Sequence, residues 1–431
     1  MMQIKEAIAK GEGEVQLRGW IHRERGSAKL KFINLRDVSG IIQCVFEREK
    51  LGDKQFDLID KVQVETSMML TGTIKKDERA PTGYEVNVSS FEIVGESHEF
   101  PITKDQSVEF LADKRHLWLR SRKMTAILKI RSSVFAAIDE YFKGEGFYEY
   151  HSPIFQAVQC EGGSSLFSVD YFGKKDVFLA QTWQLYAEPA IFALEKIYTI
   201  SPSFRAEKSK TSRHLTEYWH AEMEVAWSDF SMIQDYGEAL LKYVAKKVLA
   251  QNTEELELLE RDLTTLKATA EKKFPRITYT QALKILKEKC DMEIEWGKDL
   301  RTIEEDKLSK LYDTPIIITH YPKKVKAFYM KIPENADEDV VEGCDFIAPE
   351  GYGEIIGGSQ READIQKIVE RLKEEGEDET EYEFYLDTRR YGSVPHGGFG
   401  MGVERVISWI CGLDNIKDAI PFPRTMLRYK P

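Results

Sequence analysis

The chain has 431 residues, of which 42% are hydrophobic and 31% are charged. This is the composition of a folded globular protein, and at about 150 residues per domain the length predicts two or three domains. The formal net charge of -12 excludes a protein that is basic throughout and coats nucleic acid, although a local basic patch remains compatible with it. The five cysteines form no CxxC pair, no apolar run approaches the roughly 18 residues of a membrane span, and no secretory signal is visible. We therefore expect a cytoplasmic protein with no disulfide framework, no zinc ribbon and no membrane partner.

Short stretches rich in β-branched and aromatic residues, separated by Gly, Asp and Pro, fill residues 13–97. About five such strands without a long helix predict a small closed barrel of the OB type, and a β-sandwich without a ligand is the alternative. Six basic residues against one acidic residue lie between Arg18 and Arg36, with Trp20 and Phe32 among them. Basic and aromatic residues together are typical of surfaces that bind single-stranded nucleic acid, although a charged stretch is more often a solvated face.

The rest of the chain alternates helices and strands after a polar segment that begins with proline. Apolar residues at helical spacing predict a helix from Met124 to Lys143. A later charged stretch is predicted to be helical and contains no chemical motif. The predicted organisation is a barrel domain, a linker, a larger domain and a helical insertion within it, at residues 1–100, 101–120, 121–431 and about 230–310.

Three segments combine Arg, Glu and Gly in ways that a protein core does not require. Residues 204–227 predict a hairpin with a basic loop, whose arginines present the bidentate fork that suits phosphate oxygens. Residues 344–362 place Asp345 and Glu354 around a predicted glycine-rich turn, and such hard oxygen ligands suit Mg²⁺. Residues 391–410 place alternate glycines before a predicted helix, whose first amides favour an anion. Each segment taken alone is equally well explained as an ordinary surface hairpin, turn or helix start. P-loop, GxGxxG and HExxH motifs are absent, so the sequence supports no P-loop, dinucleotide or metalloprotease site.

In these segments the sequence resembles the class II aminoacyl-tRNA synthetases, and specifically their aspartyl/asparaginyl branch. GWIHRERG…KFINLRDVSGIIQCVF resembles the anticodon-binding OB domain of that branch. The helix and strand ending at Pro153 resemble its dimer-forming first motif, FRAEKSKTSRHLTEY its second motif and GFGMGVER its third. The resemblance covers essentially the whole chain. It implies an α+β fold, with an N-terminal OB-fold β-barrel and a catalytic domain on an antiparallel sheet flanked by helices.

The resemblance also implies roles for individual residues in ATP binding. Arg205 and Arg405 would be catalytic, with Arg205 holding the α-phosphate and the amino-acid carboxylate, and Arg405 covering adenine and reaching the γ-phosphate. Glu207 would accept from the adenine amino group, and Arg213 and His214 would meet the outer phosphates. Tyr218 would stack on adenine, in the place where the family usually has Phe. Asp345 and Glu354 would bind Mg²⁺, and Glu354 would also contact ATP.

The amino acid and the anticodon have their own implied contacts. The α-ammonium group would meet Glu161 and Gln184. The other implied amino-acid ligands are Glu188, Glu222, Ser359 and Arg361. In the barrel, Phe32 would stack on an anticodon base and Gln43 would read a base edge. The implied enzyme is a homodimer that uses ATP with Mg²⁺ and aminoacylates the 3′ end of a tRNA.

Departures from the aspartyl pattern indicate which amino acid is the substrate. Aspartyl enzymes have QLYK where this chain has QLYA, so a cation is missing at Ala187. A buried carboxylate without its partner costs roughly 3–5 kcal/mol, whereas a neutral amide avoids this cost and donates to a carboxylate such as Glu188. Glu222, where aspartyl enzymes carry Asp, and KAFYM in place of KPFY are further departures. We therefore predict activation of L-asparagine and its transfer to tRNA(Asn).

Three alternatives remain at this point. Aspartate is the substrate if another cation such as Lys208 replaces the missing Lys, in an enzyme that does or does not discriminate between tRNAs. A paralogue that makes asparagine without tRNA would not need an anticodon-binding domain. An RNA-binding protein that has lost catalysis would lack one of its catalytic or metal-binding residues, and Arg205, Arg405, Asp345 and Glu354 are all present.

Overall fold

The computed structural model of the protein describes residues 1–158, 160, 166–208, 211–334 and 339–431. The chain divides into two compact units, Met1–Trp118 and Leu119–Pro431. The division falls inside the segment interpreted above as a linker, which contains two short helices, Val108–Asp113 and Arg115–Trp118.

The first unit is a closed five-stranded barrel, as the sequence predicts. Its strands are β1 (Gly13–Gly26), β2 (Leu30–Arg36), β3 (Ile41–Glu47), β4 (Ser67–Lys76) and β5 (Tyr84–Gly95). They close in the order β1-β2-β3-β5-β4, with only the β3–β5 pair parallel. Side chains along β1 alternate between buried and exposed, because successive residues of a strand point to opposite faces. The remaining helices of this unit are Ile4–Lys10, Arg48–Leu51 and Asp53–Asp60.

The second unit is built on a large sheet and a small one. Its strands are β6 (Tyr148–Glu149), β7 (Phe155–Gln156), β8 (Ser168–Tyr171), β9 (Lys174–Leu179), β10 (Lys196–Phe204), β11 (Glu217–Ala226), β12 (Arg276–Thr278), β13 (Ile316–Thr319), β14 (Gly343–Ala348), β15 (Gly353–Gln360) and β16 (His396–Gly402). The eight-stranded sheet has the order β12-β13-β14-β15-β16-β11-β10-β6, and β7-β9-β8 form the small sheet. The six central strands of the large sheet are antiparallel, and only its two outermost pairs are parallel.

Helices pack around this sheet. The predicted helix at 124–143 is present as Arg122–Gly144, and the Ser121 hydroxyl caps its start by accepting from the Met124 amide. The other α-helices are Gln184–Ala187, Ile191–Leu194, Phe230–Gln251, Thr253–Leu258, Thr264–Glu271, Tyr279–Cys290, Thr302–Ser309, Ile365–Glu375, Glu383–Arg390 and Val403–Cys411. Short 3₁₀ turns lie at Glu188–Ala190, Lys323–Val325, Pro349–Gly351, Glu379–Tyr382 and Ile416–Asp418. The predicted helical insertion also contributes β12 to the sheet edge. No helix in the described part of the chain combines the length and apolar character needed to cross a membrane.

Two glycine-rich segments, which the sequence analysis interpreted as a turn and as the residues before a helix, are strands in the middle of the large sheet. Gly357 and Gly358 lie on β15, and the alternate glycines of the third motif lie on β16. A Cβ at Gly400 would lie 2.5 Å from His220 Nε2 on the neighbouring strand β11. These strands therefore need glycine because side chains from the neighbouring strand occupy the space above them, and local sequence preference does not contain that information.

Candidate active site

Two adjoining clefts open over the centre of the large sheet. The first is bounded by the segment between β10 and β11 and by the helix that follows β16. The second lies over β11, β14 and β15. Four residues line both clefts: Arg205, His220, Glu354 and Gly400. Two ligands, one in each cleft, would therefore meet at Arg205.

The first cleft brings together the predicted ATP-binding residues from distant parts of the sequence. Its walls include Arg205, Glu207, Arg213, His214, Tyr218, Glu354 and Arg405. Strand β10 ends at Phe204, so Arg205 and Glu207 lie just beyond its end. The Arg205 guanidinium lies 5.7 Å from the centre of the Tyr218 ring. Arg405 donates to the Glu354 carbonyl oxygen at 2.9 Å, which fixes the helix-borne arginine against β15.

Positive charge dominates one end of this cleft. Arg213 donates to the Gly351 carbonyl oxygen, and His214 lies beside it on the same loop. Burial, together with the guanidinium groups of Arg405 and Arg205, lowers the pKa of His214 below its ordinary value, although Glu207 opposes this shift. The cleft therefore presents arginine charge and a neutral imidazole to an anion at neutral pH.

Strand β11 supplies the floor of the second cleft. His220, Glu222 and Glu224 alternate along the strand and share one face, while Ala221 and Met223 are fully buried on the other. The Glu222 carboxylate accepts from the Trp183 amide at 2.9 Å and from the Thr182 hydroxyl, and it lies 3.2 Å from His220 Nδ1. Glu222 is therefore held in place by the chain segment that carries Gln184, which also lines this cleft.

Glu224 and Arg361 form a planar, doubly bonded pair in the wall of the second cleft. Arg361 Nε and one of its terminal nitrogens each donate to Glu224 at 2.8 Å. The remaining nitrogen donates to the Ser359 hydroxyl at 2.6 Å, so Ser359 orients the guanidinium. Burial raises the pKa of Glu224 above its ordinary value, although Arg361 opposes that shift. The pair offers a guanidinium donor and a carboxylate acceptor side by side.

Glu188 lies behind this wall and does not line the second cleft. Its side chain is fully buried, and Gln184 Nε2 and the Tyr385 hydroxyl both donate to Oε1 at 3.0 Å. Arg389 and His396 hold Oε2, at 2.7 Å and 2.9 Å. Burial by itself raises the pKa of the Glu188 carboxyl, but Arg389 and His396 outweigh it and hold that pKa well below its usual value.

The charges of the second cleft bear on the choice between an acid and an amide. Among the described residues that line it, the basic side chains are Arg205, His220 and Arg361. Arg361 is already paired with Glu224. Ala187 is fully buried in an apolar cluster with Trp183 and provides no cation. Lys208 is exposed and lines neither cleft. The predicted ammonium ligand Glu161 lies outside the described residues.

Asp345 and Glu354 face a common space above Gly357. A Cβ at Gly357 would lie 2.9 Å from Glu354 Oε1 and 3.7 Å from Asp345 Oδ1. Lys326 Nζ binds the other oxygen of Asp345 at 2.6 Å, and Arg405 lies 3.5 Å from the other oxygen of Glu354. Burial raises the pKa of Asp345 to about 6, although Lys326 opposes the shift. One hard oxygen from each carboxylate is thus turned toward a space kept open by glycine, a donor set that fits Mg²⁺.

A β-bulge contributes to this arrangement. The pairing of β14 with β15 shifts register between Phe346 and Ile347, and Ile355 is left without a cross-strand partner. Bulges near active sites commonly turn a neighbouring side chain to a new direction. The adjoining Glu354 lines both clefts, while Ile355 and Ile356 are both buried.

The barrel unit brings Phe32 and Gln43 to one face. They lie on adjacent strands, with Gln43 directly opposite Asn34 and therefore on the same side as Phe32. Arg25 donates to Gln43 at 3.2 Å and lies 5.2 Å from the centre of the Phe32 ring. Gln43 in turn donates to Glu85 at 3.0 Å. The aromatic ring and the amide thus share a polar network on the outer face of the barrel, in which Gln43 keeps 6% of its surface exposed.

Sequence reasoning missed several residues of these sites. Glu224 could have been found, because it follows Glu222 by two positions on a strand and must share its face. Lys326 and Glu85 could not, because their partners Asp345 and Gln43 lie 19 and 42 positions away in the sequence. Met426 also lines the first cleft and follows all three motifs.

Comparisons with known proteins agree with this geometry. Residues 107–426 match the family described as tRNA synthetases class II (D, K and N). Residues 15–94 match the OB-fold nucleic acid binding domain.

Individual relatives are similar over the whole chain. The asparagine–tRNA ligase of Thermoplasma acidophilum is 46% identical over 434 residues, covering 100% of both chains. That of Thermococcus gammatolerans is 47% identical over 417 residues, covering 97% of this chain and 96% of the relative. The crystal structure of asparaginyl-tRNA synthetase from Pyrococcus horikoshii complexed with asparaginyl-adenylate is 44% identical, with a TM-score of 0.95, and covers 100% of this chain and 99% of that chain.

Proposed function

This chain belongs to the class II tRNA synthetases (D, K and N), and on that premise we propose that its two adjoining clefts carry out asparagine–tRNA ligation. The enzyme activates L-asparagine with ATP to asparaginyl-adenylate and transfers the asparaginyl group to the 3′ end of tRNA(Asn). The sequence-based prediction of this ligase, in preference to the aspartate alternative, is confirmed by the full-length asparagine–tRNA ligase relatives. The observation that carries the mechanism is that Arg205 lines both clefts.

The activation step needs position and charge rather than a general base. The amino-acid carboxylate is already an anion, and it attacks the α-phosphorus in line while pyrophosphate leaves on the opposite side. Arg205, at the junction of the clefts, binds both reacting anions and relieves their mutual repulsion. Arg213, His214 and Arg405 bind the outer phosphates, and the adenine ring lies against Tyr218 with its amino group donating to Glu207.

The substrate amide is read by the Arg361–Glu224 pair. Arg361 donates to the amide oxygen, and Glu224 accepts from the amide nitrogen. Aspartate would instead place a second carboxylate against Glu224. Among the described residues, the cation beside Glu224 is Arg361, which is already paired with it. Two carboxylates that share one cation are unfavourable in a desolvated site. Gln184 and Glu161 bind the α-ammonium group, Glu222 and Ser359 fix the walls, and Glu188 acts from behind through Gln184.

Asp345 and Glu354 are the residues that would hold Mg²⁺. Such an ion neutralises phosphate charge and orients the phosphate chain when it is bound. Lys326 holds one oxygen of Asp345 and leaves the other turned to Glu354, so the protein itself sets the direction of both carboxylates.

The barrel reads the anticodon in this proposal. Phe32 stacks on one base and Gln43, held by Arg25 and Glu85, reads the edge of another. Residues 1–100 then form the anticodon-binding domain, and 121–431 the catalytic domain. The exposed Tyr148 and Phe155, close to the motif that ends at Pro153, support a homodimer as the working form. All five cysteines are free thiols, which is consistent with a cytoplasmic enzyme.

The test is ATP–pyrophosphate exchange with Mg²⁺ and without tRNA, with asparagine and aspartate in parallel. We expect exchange with asparagine and little with aspartate. Exchange with aspartate only would support the aspartate alternative, and equal exchange with both would contradict selection of the amide by the Arg361–Glu224 pair. No exchange with either amino acid would support the RNA-binding alternative. Glu224→Gln serves as the site-directed arm, and we expect it to raise the KM for asparagine while leaving the KM for ATP within about twofold.

A further inference from the structure

Residues 416–426, which follow the third motif, close one side of the nucleotide cleft. Two backbone hydrogen bonds tie them to the second-motif hairpin, from the Ile416 amide to the Ser212 carbonyl at 3.0 Å and from the Thr216 amide to the Arg424 carbonyl at 2.9 Å. The backbone of Arg424 also forms an isolated antiparallel β-bridge with Glu217, which is the first residue of β11 and the neighbour of Tyr218. The segment is therefore fixed beside the part of the cleft assigned above to the adenine ring.

A two-residue hairpin turn follows at once. The Thr425 amide donates to the Arg428 carbonyl at 3.0 Å, and the Arg428 amide donates back to Thr425 at 3.1 Å. Met426 and Leu427 are the two residues between them. Met426 lines the cleft together with Thr425, whereas Leu427 lies outside it with 74% of its surface exposed.

Met426 differs from the other aliphatic residues of the cleft walls. Leu215, Ile355 and Ile416 are all buried in the protein. Met426 keeps 38% of its surface exposed. Among the described aliphatic residues of the cleft walls, it therefore has the largest accessible fraction that a ligand could cover. A thioether is polarisable and packs favourably against the edge of an aromatic ring.

We propose that Met426 forms one wall of the nucleobase subsite and contacts the edge of the adenine ring that lies against Tyr218. This rests on the proposed function only in assuming that ATP occupies the first cleft. Both the sulfur–aromatic contact and the burial of the Met426 side chain stabilise the bound base. Neither affects the second cleft, which binds asparagine. Truncation therefore weakens ATP binding about five- to tenfold, within the range of such contacts, and leaves asparagine binding unchanged.

The experiment compares Met426→Ala with Leu427→Ala, its matched control on the same turn, and with the conservative Met426→Leu. The KM for ATP, the KM for asparagine and kcat are measured by pyrophosphate exchange, and the Kd of a non-hydrolysable ATP analogue by calorimetry. We expect Met426→Ala to raise the ATP KM and the analogue Kd five- to tenfold. The asparagine KM and kcat stay within twofold, and Leu427→Ala matches the wild type. Met426→Leu keeps the apolar bulk but lacks the sulfur, so it raises the ATP KM less than Met426→Ala does.

Two results would overturn the assignment: Met426→Ala indistinguishable from Leu427→Ala in both ATP parameters, or equal losses for ATP and asparagine. The proposed function fails separately. A wild-type protein that binds the analogue but shows no exchange would refute the ligase mechanism, and the calorimetric comparison would still decide the role of Met426.

Discussion

Replacing Glu188 by Gln separates two explanations of asparagine selection. The sequence alone suggests that Glu188 accepts directly from the substrate amide. In the structure its oxygens are bound by Gln184, Tyr385, Arg389 and His396, and its side chain does not line the cleft. Glu188→Gln preserves the shape of the side chain and removes its charge, so it tests whether that charge serves the fold or the substrate.

The magnitude follows from burial. The side chains of Glu188, Arg389 and His396 are all 0% exposed, so solvent does not screen their interaction. Removing one partner of a buried ion pair costs roughly 3–5 kcal/mol. Because glutamine retains some of the hydrogen bonds, we expect a loss near the lower end, about 3 kcal/mol. For a unit of roughly 300 residues this lowers the unfolding midpoint by about 5 °C.

Thermal unfolding and pyrophosphate exchange on the same preparation provide the assay. We expect the catalytic unit to unfold at the lower temperature, and the KM for asparagine to rise only modestly as Gln184 loses a fixed acceptor. Phe32→Ala, in the other unit, is the control for the unfolding signal. An unchanged midpoint with a large, asparagine-specific rise in KM would refute the structural reasoning and restore direct contact by Glu188.

Three further outcomes are expected. Phe32→Ala should raise the KM for tRNA about tenfold, as loss of a stacking contact worth roughly 1–3 kcal/mol implies, and leave tRNA-independent exchange intact. Asp345→Asn should increase the Mg²⁺ concentration for half-maximal exchange in a magnesium titration; an unchanged requirement would remove Asp345 from the metal site. Because burial and Arg405 lower the pKa of His214, His214→Asn should change the KM for ATP little at pH 7.5. As the pH falls, protonated His214 adds a charge facing the phosphates, so the wild-type advantage should grow toward pH 5.5, and a pH-independent difference would contradict this role.

The sequence by itself determined the elements and the chemistry they carry. Stretches rich in β-branched and aromatic residues, separated by turn residues, predicted the five-stranded barrel, and helical spacing predicted Arg122–Gly144 to within two residues. The resemblance of the motifs predicted seven ATP-binding residues, and all seven line one cleft. These signals are local, because strand periodicity, helix periodicity and motif spacing each depend on residues close together in the chain.

Tertiary structure decided what depends on neighbours from distant strands. The glycines of β15 were interpreted as a turn and those of β16 as the residues before a helix. In the sheet, side chains such as His220 leave space only for glycine on the neighbouring strand. Glu188 is held behind the cleft wall by Arg389 and His396, which lie about two hundred positions away in the sequence. Glu224 lies beside Arg361 because β11 pairs with β16, which in turn pairs with β15, the strand that Arg361 follows. Burial and charge partnership belong to the packed molecule, so no window of sequence contains them.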